Sequence, residues 1–252
     1  MKLESLLQYI DKYLAVEGHP DNPRAMNGLQ VEGRGEVGHV VAAVDASEAS
    51  IQDAVARGAD LLIVHHGLFW GGSAPLTGRL LRRVKPLVGG GVSLYSCHLP
   101  LDSHAEIGNS ALLGRALGLS LEGRFGRFDG IDVGWQGRLD QPVDSTTLTT
   151  RTEVAVGGSV RLIAGGGPRI ERVGVVTGAG AGALAEAAQL GLDALVTGEC
   201  SHHHYFEAME LGVHLLLAGH YATETFGVRA LAAHVAERFG LTWEFVDRPT
   251  GL

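Results

Sequence analysis

Imidazole and carboxylate side chains follow three separate apolar runs of this chain. The residues are His65 and His66, then His98 and Asp102, and then His220 and Glu224. In open α/β sheets, ligands bind at the carboxyl ends of strands, so groups at these positions are candidates for a common site. Imidazole and carboxylate together form a donor set that suits Zn, Mn, Fe and Ni. The pattern therefore indicates a metal site.

The spacing of these residues bears on how many ions they could bind. Neighbours on a strand point to opposite faces, so His65 and His66 serve one site only if the chain turns, which Gly67 permits. His220 and Glu224 share a face if they lie on a helix. A histidine at the end of a strand can also be an ordinary hydrogen-bonded core residue. Without His98, the set still contains three histidines and two acids. These five ligands exceed the need of one tetrahedral zinc, and two adjacent metal ions fit them better.

The elements that must position these residues alternate between strands and helices. Apolar runs predict strands at 40–44, 61–64, 92–96, 173–176, 194–196, 213–217 and 241–246. Helical spacing and caps predict helices over 3–16, 47–57, 76–88, 106–117, 181–189, 203–210 and 223–238. Residues 120–165 are richer in Gly, Thr and alternating apolar positions, which indicates antiparallel strands or a changed local architecture there. The fold class is therefore α/β.

Two passages of the chain are alike. Residues 54–62 resemble residues 187–195, and each passage is followed by a Gly-Val strand start, at Gly91 and at Gly212. Each of these later strands leads to a histidine with an acid four residues on. A chance likeness of two βαβ units is the alternative, but the shared order of features favours an internal duplication.

Composition excludes several classes of protein. The net charge of −8, with 12 histidines counted as neutral, argues against binding to a nucleic-acid backbone. No stretch reaches the ~18 apolar residues of a membrane span. The first residues lack the pattern of a signal peptide, and two cysteines are too few for a disulfide framework. We therefore expect a cytoplasmic protein without membrane or nucleic-acid partners.

Five segments of the sequence resemble the signatures of the Nif-three family. They are Asn27–Gln30, Val64–Trp70, Cys97–Asp102, Val196–Glu199 and Ala218–Glu224. The resemblance covers nearly the whole chain, and the segments come in the family's order. Bacterial members of this family are often labelled GTP cyclohydrolase 1 type 2 homologues.

The resemblance implies two similar α/β domains related by internal duplication, with mixed sheets flanked by helices and a metal site in the cleft between them. The first domain would comprise 1–124 with 221–252, and the second 125–220. The implied ligands of a dinuclear site are His65, His66, Asp102, His220 and Glu224. His98 matches a histidine near the site, and Cys97 stands where many members have Thr. The family assembles as hexameric rings, so a homohexamer is expected.

Three hypotheses about function follow. The first is a hydrolase of a small anionic or nucleotide-like substrate that uses two divalent metal ions (Zn, Fe, Mn or Ni), with Glu199, His98 or His202 moving protons. The second is a non-enzymatic metal-binding or regulatory interaction protein. The third is nucleotide binding at the glycine-rich turn 178–183, which follows a strand, opens a helix and has Glu199 about 20 residues on. Three successive histidines, 202–204, cannot all face one ion in a regular element.

Overall fold

The computed structural model describes residues 1–70 and 74–252, and the chain divides into two units. The first unit comprises Met1–Leu101 and Gly227–Arg248, and the second comprises Asp102–Phe226 and Pro249–Leu252. Each unit contains one mixed β-sheet with helices, as the resemblance implied. The described residues contain no helix that is long and apolar enough to cross a membrane.

The first unit is built on a five-stranded sheet with strand order β1-β4-β3-β2-β11. Its strands are β1 (Gly28–Val31), β2 (His39–Asp45), β3 (Leu61–His66), β4 (Ser93–Ser96) and β11 (Thr242–Phe245). Its helices are α1 (Leu3–Tyr13), α2 (Glu48–Ala56), α3 (Gly78–Gly90) and most of α10 (Thr225–Phe239), and α4 (Leu99–Asp102) crosses the boundary to the second unit. Strand β1 pairs antiparallel with β4, and the other pairs are parallel.

Local sequence explains why the central elements of this unit form. Apolar side chains fill both faces of β2 and β3, because parallel strands are covered by helices on both sides. The start of α2 is capped by Ser47, which accepts from the amide of Ser50 in a reciprocal capping box. Helix α3 ends where Gly91 adopts a left-handed conformation. Because β3 and β4 are parallel, the histidines that end β3 and the polar residues that follow β4 lie at one edge of the sheet.

The second unit is built on a six-stranded sheet with strand order β5-β6-β8-β9-β10-β7. Its strands are β5 (Leu119–Phe128), β6 (Ile131–Val143), β7 (Arg161–Ile163), β8 (Ile170–Val176), β9 (Ala194–Thr197) and β10 (His214–Leu217). Its helices are α5 (Asn109–Ala116), α6 (Ser145–Val156), α7 (Leu184–Gln189), α8 (His204–Leu211) and α9 (His220–Thr223), and a short 3-10 helix spans Gly180–Ala183. Strands β8, β9 and β10 are parallel, and the remaining pairs are antiparallel.

The two units share one chain order of elements. In the first, β2-α2-β3-α3-β4 forms three adjacent parallel strands, and in the second β8-α7-β9-α8-β10 does the same. Beyond the last of these strands, each sheet adds one antiparallel strand, β1 on β4 and β7 on β10. This agreement of topology supports the duplication read from the sequence.

Residues 120–165 contain more than antiparallel strands. Strands β5 and β6 do form a long hairpin, and its two-residue turn is Asp129-Gly130, both with positive φ. The alternating positions Val154 and Val156, however, lie on helix α6 rather than on a strand, so that part of the prediction was wrong. The side chain of Asp144 accepts from the amide of Thr147 and caps this helix, which decides the local structure.

The unit boundary in the structure differs from the predicted domain boundary. Residues 102–124 belong to the second unit, whereas the resemblance placed them with the first. The physical reason is that α5 packs against β5, β6 and β8, with Leu113 and Leu117 buried in the apolar core of that sheet. The C-terminal part of the first unit is Gly227–Arg248, and Pro249–Leu252 belong to the second.

Candidate metal centre

His65 and His66 are the last two residues of β3, and each has its Nδ1 atom against an oxygen. Nδ1 of His65 lies 3.0 Å from the backbone oxygen of Cys97, and Nδ1 of His66 lies 2.9 Å from Oδ1 of Asp45. The strand register sets the second contact, because Asp45 on β2 is paired with His66. Cys97 acts through its backbone, so the identity of its side chain does not enter this hydrogen bond.

His98 lies close to both of these histidines. Its ring centroid is 5.0 Å from that of His65 and 5.8 Å from that of His66, and one ligand atom of each ring lies within 4.8 Å of the others. The three side chains form a group that could hold a metal ion. The two histidines on β3 contribute to it together, although neighbours on a strand were expected to diverge unless the chain turned.

Asp21 holds His98 in place. Its Oδ1 lies 2.7 Å from Nδ1 of His98, and its other oxygen accepts from the amide of Leu99 and the side chain of Asn27. Burial opposes ionisation of Asp21, but the hydrogen bond from His98 and the other donors outweigh it and lower the pKa of this carboxyl. Asp21 therefore remains ionised and orients the ring.

Asp102 and Asn109 form a buried pair at the start of the second unit. Nδ2 of Asn109 donates to Oδ1 of Asp102 over 2.8 Å. Asp102 is 7% exposed and Asn109 is fully buried, so the amide holds the carboxylate in one orientation.

His220 lies between two carboxylates of the second unit. Its Nδ1 is 2.8 Å from Oε1 of Glu199, and its Nε2 is 3.2 Å from Oε2 of Glu224. The hydrogen bond to Glu224 raises the pKa of His220 to about 9, and the contact with Glu199 acts in the same direction. Burial of the ring opposes this shift but is outweighed. At neutral pH the ring is therefore cationic when no metal ion competes for Nε2.

Gly178 makes room for the carboxylate of Glu224. A Cβ atom at this position would collide with Oε1 of Glu224, and the residue has a φ of +64° that favours glycine. The amide of Gly178 donates to Oγ1 of Thr223, and the amide of Gly180 donates to Oγ1 of Thr197. Two amides that a pyrophosphate would need at this turn are thus already used by threonine side chains.

The histidines at 202–204 do not act as one group. His203 and His204 belong with Glu207 in a cluster whose ligand atoms lie within 4.8 Å of one another. The ring of His202 instead contacts Phe206 edge-on at 5.6 Å.

The structure thus brings together His65, His66 and His98 within the first unit, and His220 and Glu224 within the second. Sequence reasoning missed three residues that orient candidate site residues: Asp21 beside His98, Asp45 beside His66 and Asn109 beside Asp102. The sequence could have pointed to Asp45, because this residue ends an apolar strand as His66 does. No sequence pattern points to Asp21 or Asn109, since their roles depend on contacts made by the fold.

These features define a class: a two-unit α/β protein with histidine and carboxylate groups that could bind a metal ion. The family model for Duf34/NIF3 (NGG1p interacting factor 3) matches residues 1–250, and the chain belongs to this family.

Relatives of similar length support this assignment. A protein of Deinococcus radiodurans named GTP cyclohydrolase 1 type 2 homolog is 43% identical over 99% of this chain and 94% of its own length. A protein of the same name from Pyrococcus horikoshii is 40% identical over the full length of both chains. Among solved structures, ybgI, a protein described as of unknown function, matches with a TM-score of 0.93 at 38% identity, and TTHA1606 from Thermus thermophilus with 0.90 at 42%. Both alignments cover the whole of each chain.

Proposed function

We propose that this protein binds two divalent transition-metal ions and is a metal-dependent hydrolase. The proposed ligands are His65, His66, Asp102, His220 and Glu224. The observation that carries the metal-binding proposal is shared by the three histidines of this set: in each, Nδ1 faces an oxygen acceptor. That contact places the proton on Nδ1 and the lone pair of the neutral ring on Nε2, as in metal-binding histidines generally.

The donor set fits the proposed ions. Three imidazoles and two carboxylates suit Zn, Fe, Mn or Ni, and they exceed the four ligands of a single tetrahedral zinc. The carboxylates are also oriented: Asn109 donates to Asp102, and Gly178 leaves space for Glu224. Two bound ions would supply Lewis acidity toward a carbonyl or phosphoryl oxygen of a substrate.

His98 is the residue that we assign to proton transfer. Its Nδ1 is held by the ionised carboxylate of Asp21, which orients the ring and leaves Nε2 to exchange a proton with a substrate. Its side chain is 16% exposed, so solvent can reach only a small part of the ring. Glu199 lies against Nδ1 of His220, so we propose it as a positioning residue for that ligand. We assign no role to His202, whose ring contacts Phe206.

The proposed substrate is a small anionic or nucleotide-like molecule. The name carried by the relatives, GTP cyclohydrolase 1 type 2 homolog, points to a hydrolytic reaction on a nucleotide. A substrate of this kind would bring oxygen atoms to the bound ions and would need a sheltered proton-transfer group such as His98.

A non-enzymatic metal-binding or regulatory protein is the second candidate. It is favoured by the description of the matching family, which names an interaction partner rather than a reaction. Both candidates use the same ligands, and they differ in whether metal-loaded protein turns over a substrate.

Elemental analysis of chelator-free protein tests the metal site. We expect about two equivalents of metal per chain. Glu224→Gln should lose metal, because a carboxylate next to His220 becomes a neutral amide. Glu237→Gln, at an exposed position of α10, is the matched control and should keep it. One equivalent or less in fully loaded parent protein would refute the dinuclear site.

A kinetic comparison tests the hydrolase. Parent protein, stripped and then reloaded with metal, is assayed on a panel of nucleotides and phosphate esters beside His98→Gln. We expect the parent to turn over a substrate only when it is loaded with metal. His98→Gln should have a lower turnover rate than the parent at the same metal content. Absence of metal-dependent turnover across the panel would favour the non-enzymatic candidate.

A further inference from the structure

A second group of side chains that could hold a metal ion lies at the start of α8 and shares no residue with the proposed ligands. His203 precedes the helix, His204 is its first residue, and Glu207 lies one turn further on. One ligand atom from each lies within 4.8 Å of the others. The run of histidines was not expected to face one ion, and it does not; the cluster consists of two of them and a glutamate.

Helical spacing explains why Glu207 joins the histidines. His203 and Glu207 are four residues apart, which places their side chains on one face of the first turn. The rings of His203 and His204 lie side by side, with centroids 4.0 Å apart and planes tilted by 35°. The two rings therefore offer nitrogen atoms to one place, together with a carboxylate oxygen of Glu207.

The backbone provides a partner for the second nitrogen of His204. The amide of Ser201 donates to Nδ1 of His204 over 3.0 Å, and Nδ1 also lies 3.2 Å from the backbone oxygen of Ser201. In the tautomer that accepts from this amide, the proton of the neutral ring is on Nε2. A metal ion at Nε2 would select the other tautomer, in which Nδ1 donates to the backbone oxygen of Ser201. A backbone carbonyl on the far nitrogen is the arrangement found at many metal-binding histidines.

From this geometry we infer a separate surface metal site formed by His203, His204 and Glu207. Two imidazoles and one carboxylate select a borderline transition ion such as Zn²⁺, Ni²⁺ or Cu²⁺ over Mg²⁺ or Ca²⁺, which prefer oxygen ligands. His203 is exposed, so solvent can complete the coordination. The positive end of the α8 dipole opposes a cation, and the charge of Glu207 offsets that effect. The site is therefore weaker than one built from buried ligands.

Zinc titration of the full chain by equilibrium dialysis tests this site. We expect the parent protein to take up one equivalent more than His203→Ala or Glu207→Gln, or to bind that equivalent at least about tenfold more tightly. The matched controls are His202→Ala and Glu210→Gln, an adjacent histidine and an exposed glutamate of the same helix, and they should behave as the parent. Titration with Mg²⁺ should show no difference among these proteins.

The experiment separates this site from the proposed dinuclear one. Glu224→Gln should keep the additional zinc equivalent, and anomalous diffraction from zinc-soaked crystals should place an ion between His203, His204 and Glu207. Equal zinc uptake by parent, His203→Ala and Glu207→Gln would overturn the inference, as would an equal loss in His202→Ala. Because His203 is exposed, its removal is not expected to unfold the chain.

Discussion

Nδ1 of His220 lies 2.8 Å from Oε1 of Glu199, and the two residues follow neighbouring parallel strands of one sheet. Glu199 comes after β9 and His220 after β10, so strand pairing alone brings them to the same edge. A carboxylate in this position fixes the tautomer and orientation of a metal-binding imidazole and makes it a stronger ligand. The same relation recurs on the other sheet between Asp45 and His66.

Glu199→Gln should weaken metal binding without removing a ligand. The neutral amide no longer stabilises the His220 imidazole as a carboxylate does, and loss of such a partner lowers metal affinity about 10- to 100-fold. Competition titration with a zinc chelator measures the change, with Glu237→Gln as the control. An affinity equal to that of the parent would show that the contact has no role in metal binding.

Metal affinity should rise with pH across the range in which His220 loses its proton. Its pKa is raised to about 9 in the metal-free protein, so below that pH a metal ion must displace a proton from the ring. We expect up to about a tenfold gain in affinity per pH unit between roughly 6.5 and 9. Calorimetry in buffers of different ionisation enthalpy should detect the released proton.

The same group has the opposite effect on the stability of metal-free protein. Because the folded-state pKa of His220 is above its ordinary value of 6.5, its contribution to stability is fully present below that pH and is lost as pH rises toward about 9. Urea unfolding of chelator-treated protein at several pH values measures this, and Glu224→Gln should reduce the dependence. A free energy of unfolding that is constant with pH in the chelator-treated parent would contradict this expectation.

Gly178→Ala should impair both folding and metal binding. The residue has a positive φ, which costs an L-residue about 1–2 kcal/mol, and the new methyl group would collide with the carboxylate of Glu224. Thermal unfolding and metal analysis measure the two effects. Gly182→Ala is the matched control in the same glycine-rich segment, because a Cβ atom there meets no atom within 4 Å. Equal behaviour of the two variants would refute this role of Gly178.

Gly180→Val distinguishes metal binding from nucleotide binding at the turn 178–183. A Cβ atom at Gly180 would lie 2.6 Å from Cβ of Val176 and 2.9 Å from Oγ1 of Thr197, so the variant should disturb packing. We expect no NAD binding by the parent, since the amides of Gly178 and Gly180 already donate to threonines. Calorimetric titration with NAD checks this. Tight NAD binding that is lost in Gly180→Val but kept in Glu224→Ala would overturn our main proposal.

The assembly state is a further prediction, made from the family resemblance. A ring of six subunits should give a mass in solution six times the 26.5 kDa of one chain. Light scattering coupled to size-exclusion chromatography measures it directly. A monomer at micromolar concentration would contradict the prediction.

The sequence by itself determined the strand ends that carry the candidate ligands. Buried parallel strands are continuous apolar runs, so the polar groups that follow them, such as His65 and His220, stand out without knowledge of the fold. The likeness of residues 54–62 to 187–195 also predicted two related units, and the shared topology of the sheets supports this.

Only the tertiary structure decided which residues orient the candidate site residues through hydrogen bonds. Asp21, Cys97 and Asn109 act through hydrogen bonds whose partners are set by packing and strand register, and no local pattern encodes such contacts. Helix α6 was missed for a related reason, since its threonine-rich sequence has weak helical preference and is stabilised by its Asp144 cap and by buried Leu148. Local periodicity locates a residue on its own element, whereas its partners depend on how distant elements meet.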